Sequence, residues 1–170
     1  MKTTIFQETQ KFNQLWIRIP LLCLMAMFIW GLYKQLVLGE PWGSRPATNG
    51  GLLLGTSIMA GVTILFLTAR LKTEIDETGI YYKFFPFHFK KHRIDWALVE
   101  KAFVREYSPL GEFGGWGIRF GFGSGKAFNV SGNMGLQLHL KNGKRVLIGT
   151  QKPDEIAMIL EQLKSKIIPS

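Results

Sequence analysis

The stretch most suggestive of chemistry is a glycine-rich tract that runs from Gly111 to Gly125 and is followed by Lys126. A phosphate-binding Walker loop would need glycine where Phe120 stands and serine or threonine where Ala127 stands. The tract therefore does not match a nucleotide-binding loop. It predicts instead a loop and a bulge that lead into a strand with alternating hydrophobic residues, namely Ile118, Phe120 and Phe122.

The remaining reactive side chains do not form a recognisable catalytic or metal-binding motif. In an extended segment His88 and His92 would share a face but lie about 13 Å apart, too far for one ion. The single cysteine, Cys23, lies within an apolar run. No paired carboxylates or activated nucleophile can be identified. We therefore expect no metal, no cofactor and no enzymatic activity.

Basic side chains are the remaining candidates, in a chain whose formal net charge is +9. They form two clusters, one after an aromatic segment and one around an Asn-Gly pair: Lys90, Lys91 and Arg93, and Lys141, Lys144 and Arg145. Near an anionic lipid surface each such charge could contribute about 1 kcal/mol. Alternatively, the charges only keep edge strands and turns solvated. The aromatic segment itself, Phe84 to Phe89, is expected in the core.

Two long apolar runs precede this region. Ile19 to Tyr33 is uncharged and is bounded by Arg18 and Lys34, and Pro46 to Ala69 contains no charge. Such runs predict a hairpin of two transmembrane helices, at about residues 15–38 and 50–70. A buried core helix or a cleaved signal peptide are the alternatives for the first run, although no small-residue cleavage site follows it.

Small residues recur in the second run at a spacing of four, which would let another helix approach closely. The candidates for helix packing are Gly51, Gly55, Ser57 and Gly61. Basic residues are more frequent before the first helix and after the second than in the connection between them. This bias predicts both termini in the cytoplasm and a multi-pass protein of the inner cell membrane.

Residues 72–170 have the pattern of a small β-rich domain, whereas residues 1–71 comprise an N-terminal segment and the hairpin. Gly79 is expected to supply a positive φ in one hairpin, and Asn142 with Gly143 a two-residue turn in another. The last segment predicts a helix with one apolar stripe, made by Ile156, Ile159, Leu160, Leu163 and Ile167. About seven strands and this helix are expected.

Several blocks in this domain resemble bacterial pleckstrin-homology-like (PH-like) domains, which often follow two membrane helices. The blocks are Ile75 to Ile80, Ile94 to Trp96 before a short helical turn, Gly114 to Arg119, and Gly135 to Ile156. The resemblance covers roughly residues 72–163. It implies two antiparallel sheets closed by the C-terminal helix, and a fold that binds lipids, peptides or proteins without implying any chemistry.

These observations predict a membrane-anchored, non-catalytic PH-like module at the cytoplasmic face. Its partners would be the lipid bilayer, through anionic headgroups, or another protein. The alternative is a structural or assembly subunit that acts through its transmembrane helices, with another membrane protein or a second copy as partner. Nucleic acid would use the same cations but is less compatible with a membrane tether. No small-molecule substrate is indicated.

Overall fold

The computed structural model describes residues 4–121 and 123–163, which form two units. One unit is a helical hairpin, residues 13–68, and the other combines residues 4–12 with residues from 69 onward. The helices are α1 (Leu15–Leu32), α2 (Asn49–Thr68), α3 (Pro109–Phe113) and α4 (Pro153–Gln162). The strands are β1 (Thr4–Lys11), β2 (Arg70–Asp76), β3 (Gly79–Phe85), β4 (His92–Asp95), β5 (Val99–Glu106), β6 (Gly117–Gly121), β7 (Gly125–Asn129), β8 (Met134–Leu140) and β9 (Arg145–Gly149).

Both hairpin helices are long and apolar enough to span a membrane. Helix α1 continues through a π-helical turn, Tyr33–Val37, so that this rod has 23 residues, and α2 has 20. At 1.5 Å per residue their lengths are about 35 and 30 Å, which match the roughly 30 Å hydrocarbon layer of a bilayer. Only 6% of the most apolar stretch of the first rod is buried, and only 17% of the corresponding stretch of α2.

The two helices are held together at their connection. The amide of Gln35 donates hydrogen bonds to the Ala47 carbonyl at 2.8 Å and to Asn49 Oδ1 at 2.9 Å. Gly31 lies directly under Trp42, where a Cβ atom would come within 2.6 Å of the indole ring. The Pro- and Gly-rich connection is therefore a close-packed turn.

The second unit contains two sheets. The first has the strand order β1-β2-β3-β4 and is antiparallel, and the second has the order β5-β8-β9-β7-β6. Strands β7 and β9 pair in parallel, so the expectation of purely antiparallel sheets was wrong. The described residues form nine strands instead of about seven. Strand β1 was not expected: it is eight residues long, but it is mostly polar, which gives it a weak hydrophobic signal.

Strand β1 also changes the division of the chain. It pairs with β2 along its length and buries Phe6, Glu8 and Gln10. Hydropathy grouped residues 1–71 with the hairpin, whereas the structure assigns residues 4–12 to the β unit. The polar segment before α1 is held in place by sheet pairing with residues that lie 59 to 72 positions later, which local periodicity does not detect.

The turns agree with the sequence in position but not in every detail. Gly79 follows the β2–β3 turn but has no positive φ. A Cβ atom there would collide with the Ile94 carbonyl oxygen, so glycine is required by the close approach of β4. Asn142 and Gly143 do lie in the turn between β8 and β9, and Gly143 has a φ of 79°. The turn is longer than two residues, because the hydrogen bond that closes it runs from Leu140 N to the Lys144 carbonyl.

Helix α4 has the expected apolar stripe. Ile156, Ile159, Leu160 and Leu163 are buried, whereas Ile167 lies outside the described residues. Pro153 begins the helix and Asp154 and Glu155 occupy its first turn, where a proline and negative charge are both favourable. The expected short helical turn after Asp95 is a 3₁₀ turn, Trp96–Leu98.

Candidate functional site

The outer face of the four-stranded sheet is strongly basic. Leu71, Thr73 and Ile75 of β2 point into the core, so the alternate side chains of that strand must point outward. Neighbouring strands add further cations in register, with Lys11 opposite Arg70 and Lys72 opposite Lys83. We call this surface the basic face; its cations are Lys11, Arg70, Lys72, Lys83 and Lys91.

One carboxylate organises the centre of the basic face. Glu74 accepts from Lys72 Nζ at 2.8 Å and from Lys91 Nζ at 2.6 Å. Burial raises the pKa of Glu74, but the hydrogen bonds from the two lysines outweigh burial and leave the pKa below its ordinary value. Glu74 therefore stays ionised and joins Lys91, which precedes β4, to the sheet. The five cations still outnumber this carboxylate, so the face has a positive charge.

The first predicted cluster is divided by the structure. Lys91 belongs to the basic face, and Lys90 is exposed in the connection before β4. Arg93 forms an ion pair with Asp95 and lies over the Tyr81 ring, 5.5 Å from its centroid. Of these three residues, Lys90 and Lys91 are the ones placed to add charge to the surface.

The second predicted cluster lies on the other sheet. Lys141, Lys144 and Arg145 are all exposed at the β8–β9 turn. Arg145 Nη1 donates to the Gly123 carbonyl at 3.0 Å, which fixes this turn against the glycine-rich β6–β7 turn. Lys144, Arg145 and Lys126 line an open pocket there with Phe120. The two predicted clusters thus form separate surfaces and not one site.

The histidine geometry expected from an extended chain was wrong. The rings of His88 and His92 lie 4.2 Å apart between centroids, because the chain between β3 and β4 bends back on itself. Burial lowers the pKa of His88, and the nearby charges of His92 and Lys126 lower it further. Among the described residues no group of three or more histidine, cysteine or carboxylate side chains is arranged to hold a metal ion.

Sequence reasoning missed most of the basic face. In the sequence, Arg70 and Lys72 are visible only as cations that follow the second apolar run, and nothing local connects Lys11 and Lys83 to them. The alternation of charge in Arg-Leu-Lys-Thr-Glu-Ile-Asp, residues 70–76, is the local signal that could have found part of it. The contribution of Lys11 required knowledge of the β1–β2 pairing.

The four helix-packing candidates do not act as one surface. A Cβ on Gly55 would lie 3.2 Å from the Phe28 ring of α1, so Gly55 faces the other helix of the same hairpin. Gly51 contacts Thr48 just before its own helix. Ser57 is exposed and its hydroxyl donates to the Leu53 carbonyl, whereas nothing lies within 4 Å of a Cβ on Gly61. Ser57 and Gly61 are therefore the pair left open.

No family model matches this chain, and no curated protein matches it in sequence. The described residues present two candidate surfaces, the basic face on the first sheet and the turn-lined pocket on the second. The basic face carries more cations than the pocket, and two of its strands, β1 and β2, adjoin the two apolar helices in the chain.

Proposed function

We propose that this chain is a membrane-anchored, non-catalytic module that binds anionic lipid headgroups through its basic face. The observation that carries the proposal is the concentration of five cations on one face of the sheet, three of them on strands that adjoin the apolar helices in the chain. Three residues separate β1 from α1, and Ala69 alone separates β2 from α2. At about 3.5 Å per residue, Lys11 and Arg70 stay within roughly 15 Å of the helix ends, close to the electrostatic screening length of about 10 Å.

Membrane anchoring is supported by the exposure of the hairpin. The core helix of a soluble protein would bury most of its apolar side chains, but most of those on α1 and α2 are exposed. A cleaved first helix is also disfavoured, because cleavage would separate β1 from the sheet in which it buries Phe6 and Gln10. Both considerations favour two spanning helices.

The orientation follows from the sheet and the flanking charges. Since β1 and β2 are paired, the segments before α1 and after α2 lie on one side of any membrane that the hairpin crosses. Lys11, Arg18, Arg70 and Lys72 flank the hairpin on that side, and basic flanks favour the cytoplasm. We place both termini at the cytoplasmic face of a bacterial inner membrane.

The PH-like assignment belongs to the same proposal. Two sheets and a C-terminal helix agree with what the resemblance implies. The parallel β7–β9 pairing and the use of a strand from before the hairpin depart from it. A fold of this kind hosts lipid, peptide and protein binding, so the choice among them rests on the charge of the basic face.

The test uses a chain without the hairpin, in which an Asn-Gly dipeptide replaces residues 13–68. Lys11 and Arg70 are neighbours in the β1–β2 ladder, so a two-residue turn can connect Phe12 to Ala69. We expect this hairpin-free chain to cosediment with vesicles that contain phosphatidylserine and not with phosphatidylcholine vesicles, and added salt to weaken the binding. Circular dichroism and gel filtration check its folding beforehand.

Matched charge reversals locate the binding surface. Lys11→Glu with Lys83→Glu should weaken vesicle binding by about 30-fold or more, since two cations near the lipid contribute about 2 kcal/mol. Lys141→Glu with Lys144→Glu changes the net charge equally but lies on the other sheet and should have a much smaller effect. Equal losses in both variants, or no binding at low salt, would refute the proposal; binding to an acidic peptide instead of vesicles would favour a protein partner.

A second candidate function is assembly through α2, because Ser57 and Gly61 leave a face with no neighbour from the described chain. A second copy or another membrane protein could approach closely there. Gly61→Leu should then change the species captured by crosslinking in membranes. Gly55→Leu alters packing within the hairpin and serves as the comparison. An unchanged crosslinking pattern with Gly61→Leu would exclude this role for the face.

A further inference from the structure

The connection between β3 and β4, residues 86–91, presents aromatic side chains to solvent. His88 anchors it from the inside: its backbone N–H donates to the Phe84 carbonyl at 2.7 Å, and its Nδ1 accepts from Phe84 N at 3.3 Å. The imidazole ring also packs edge-on against Phe128 of β7. With His88 turned inward, its two phenylalanine neighbours lie on the outside. We call this segment the aromatic turn.

The exposure of the aromatic turn is unusual for such large apolar side chains. Phe87 is 57% exposed and Phe89 is 83% exposed, in contrast to the expectation that this segment lies in the core. Phe84 does lie in the core, at 1% exposed. The sequence could not separate the three because the chain leaves the β3 strand at Phe85. An exposed aromatic pair of this kind indicates an interaction surface.

The surroundings of the aromatic turn indicate what it meets. Lys90 and Lys91 follow Phe89 directly, and Lys91 is bound to Glu74 of the basic face. Apolar side chains at a tip with cations behind them match the layering of an anionic bilayer, with phosphates outside and acyl chains within. The aromatic turn is thus continuous with a positively charged surface that complements such headgroups.

We propose that Phe87 and Phe89 insert into the headgroup–acyl boundary of the anionic bilayer to which the chain is anchored. This inference rests on the proposed function and deepens it: charge alone would hold the protein at the headgroups, whereas the inserted phenylalanines would reach below them. Phe120 of β6 is also exposed beside a cation, Lys126, but on the other sheet. Exposure by itself does not create such surroundings. Met158 on α4, for example, is 62% exposed but has Asp154, Glu155 and Glu161 within one helical turn.

The experiment uses the full chain in nanodiscs that contain phosphatidylserine. In a Cys23→Ser background, Phe89→Cys is labelled with an environment-sensitive fluorophore, and Met158→Cys provides the matched control. We expect blue-shifted emission and strong quenching by lipids that carry a doxyl group just below the headgroup for the label at position 89. The label at position 158 should show neither. Equal quenching at the two positions would overturn the insertion.

A second readout keeps an aromatic ring in place. Phe89→p-benzoylphenylalanine should form photocrosslinks to lipid that increase the mass of the protein, whereas the same group at position 158 should not. If no lipid crosslinks form at position 89, the proposal is overturned independently of the fluorescence result. Electrostatic binding is measured separately by vesicle cosedimentation, so loss of lipid contact at position 89 with retained vesicle binding would refute insertion alone.

Discussion

Gly79 lies where β3 passes so close to β4 that only a hydrogen atom fits on its α-carbon. A Cβ would collide with the Ile94 carbonyl oxygen, which is backbone and cannot move aside by rotating a side chain. Gly79→Ala should therefore lower the free energy of unfolding of the hairpin-free chain by about 3 kcal/mol. Urea denaturation monitored by circular dichroism measures the change.

Gly132 provides the comparison for Gly79. It has φ 76° but open space around its α-carbon, so Gly132→Ala should cost only the backbone strain of about 1 kcal/mol. If the two variants unfold at the same urea concentration, the close approach at Gly79 does not limit stability.

His88 should make the stability of the β unit depend on pH. Burial lowers the pKa of His88 below the ordinary value of 6.5, and His92 and Lys126 add to the effect. As the pH falls below 6.5, the unfolded chain takes up a proton that the folded chain resists, so the folded state loses stability. Above this range His88 is neutral in both states and contributes no such dependence.

The measurement is the thermal midpoint of the hairpin-free chain between pH 7.5 and pH 5.5. We expect the midpoint to fall on acidification, and His88→Gln to flatten the profile because glutamine does not titrate. His139→Gln, on β8, retains His88 and should keep the slope. If His88→Gln leaves the slope of the thermal midpoint against pH unchanged, then groups other than His88 cause the pH dependence.

Among the elements, β1 connects parts of the chain that lie far apart in sequence. Glu8, which is 7% exposed, accepts hydrogen bonds from the Thr150 hydroxyl at 2.7 Å and from Gln151 N at 2.8 Å. Gln10 donates from Nε2 to the Gly149 carbonyl at 2.6 Å. The strand thus joins the first sheet to the end of β9 and to the segment that follows it, through contacts more than 130 positions apart in sequence.

Removal of β1 should prevent folding of the β unit. A chain that begins at Lys72, as hydropathy alone would suggest, lacks β1 and the first two residues of β2 and exposes an unpaired, partly apolar edge. We expect it to aggregate, whereas the hairpin-free chain that retains residues 1–12 should remain a soluble monomer. Gel filtration distinguishes the two; a monomeric, cooperatively folded truncation would contradict the role of β1.

Glu8→Ala tests the same element with a single change. The carboxylate is buried and its removal leaves Thr150 and Gln151 without their acceptor, which should cost about 2 kcal/mol of unfolding free energy. Gln7→Ala, an exposed position on the same strand, should change stability by less than about 0.5 kcal/mol. Similar unfolding curves for both variants would show that the Glu8 contacts contribute little.

For the whole molecule, the pairing of β1 with β2 constrains the topology. If the hairpin spans the membrane, Thr4 and Lys144 must lie on one side and Arg45, in the connection, on the other. In a Cys23→Ser background, a membrane-impermeant maleimide should label Arg45→Cys in spheroplasts. Thr4→Cys and Lys144→Cys should be labelled only after the membrane is opened. Labelling of the last two in intact spheroplasts would invert the orientation.

The sequence alone determined the features that depend on local periodicity. The second apolar run is long enough to span a bilayer, and the first becomes so when its flanking residues are included, so both helices could be identified from length and hydropathy, which are properties of contiguous residues. The apolar stripe of α4 and the turns around Glu77 and Asn142 were located for the same reason. Lys91, a binding candidate from the sequence, lies on the basic face beside Glu74, and its role in binding stays a prediction.

Only the tertiary structure decided how distant segments combine. It brought β1 from before the hairpin to the edge of β2, placed Lys11 beside Arg70, and separated the two predicted basic clusters onto different sheets. It also turned His88 inward and left Phe89 exposed. Strand pairing and side-chain burial depend on contacts between residues far apart in sequence, and a polar strand such as β1 carries too little local signal to specify them.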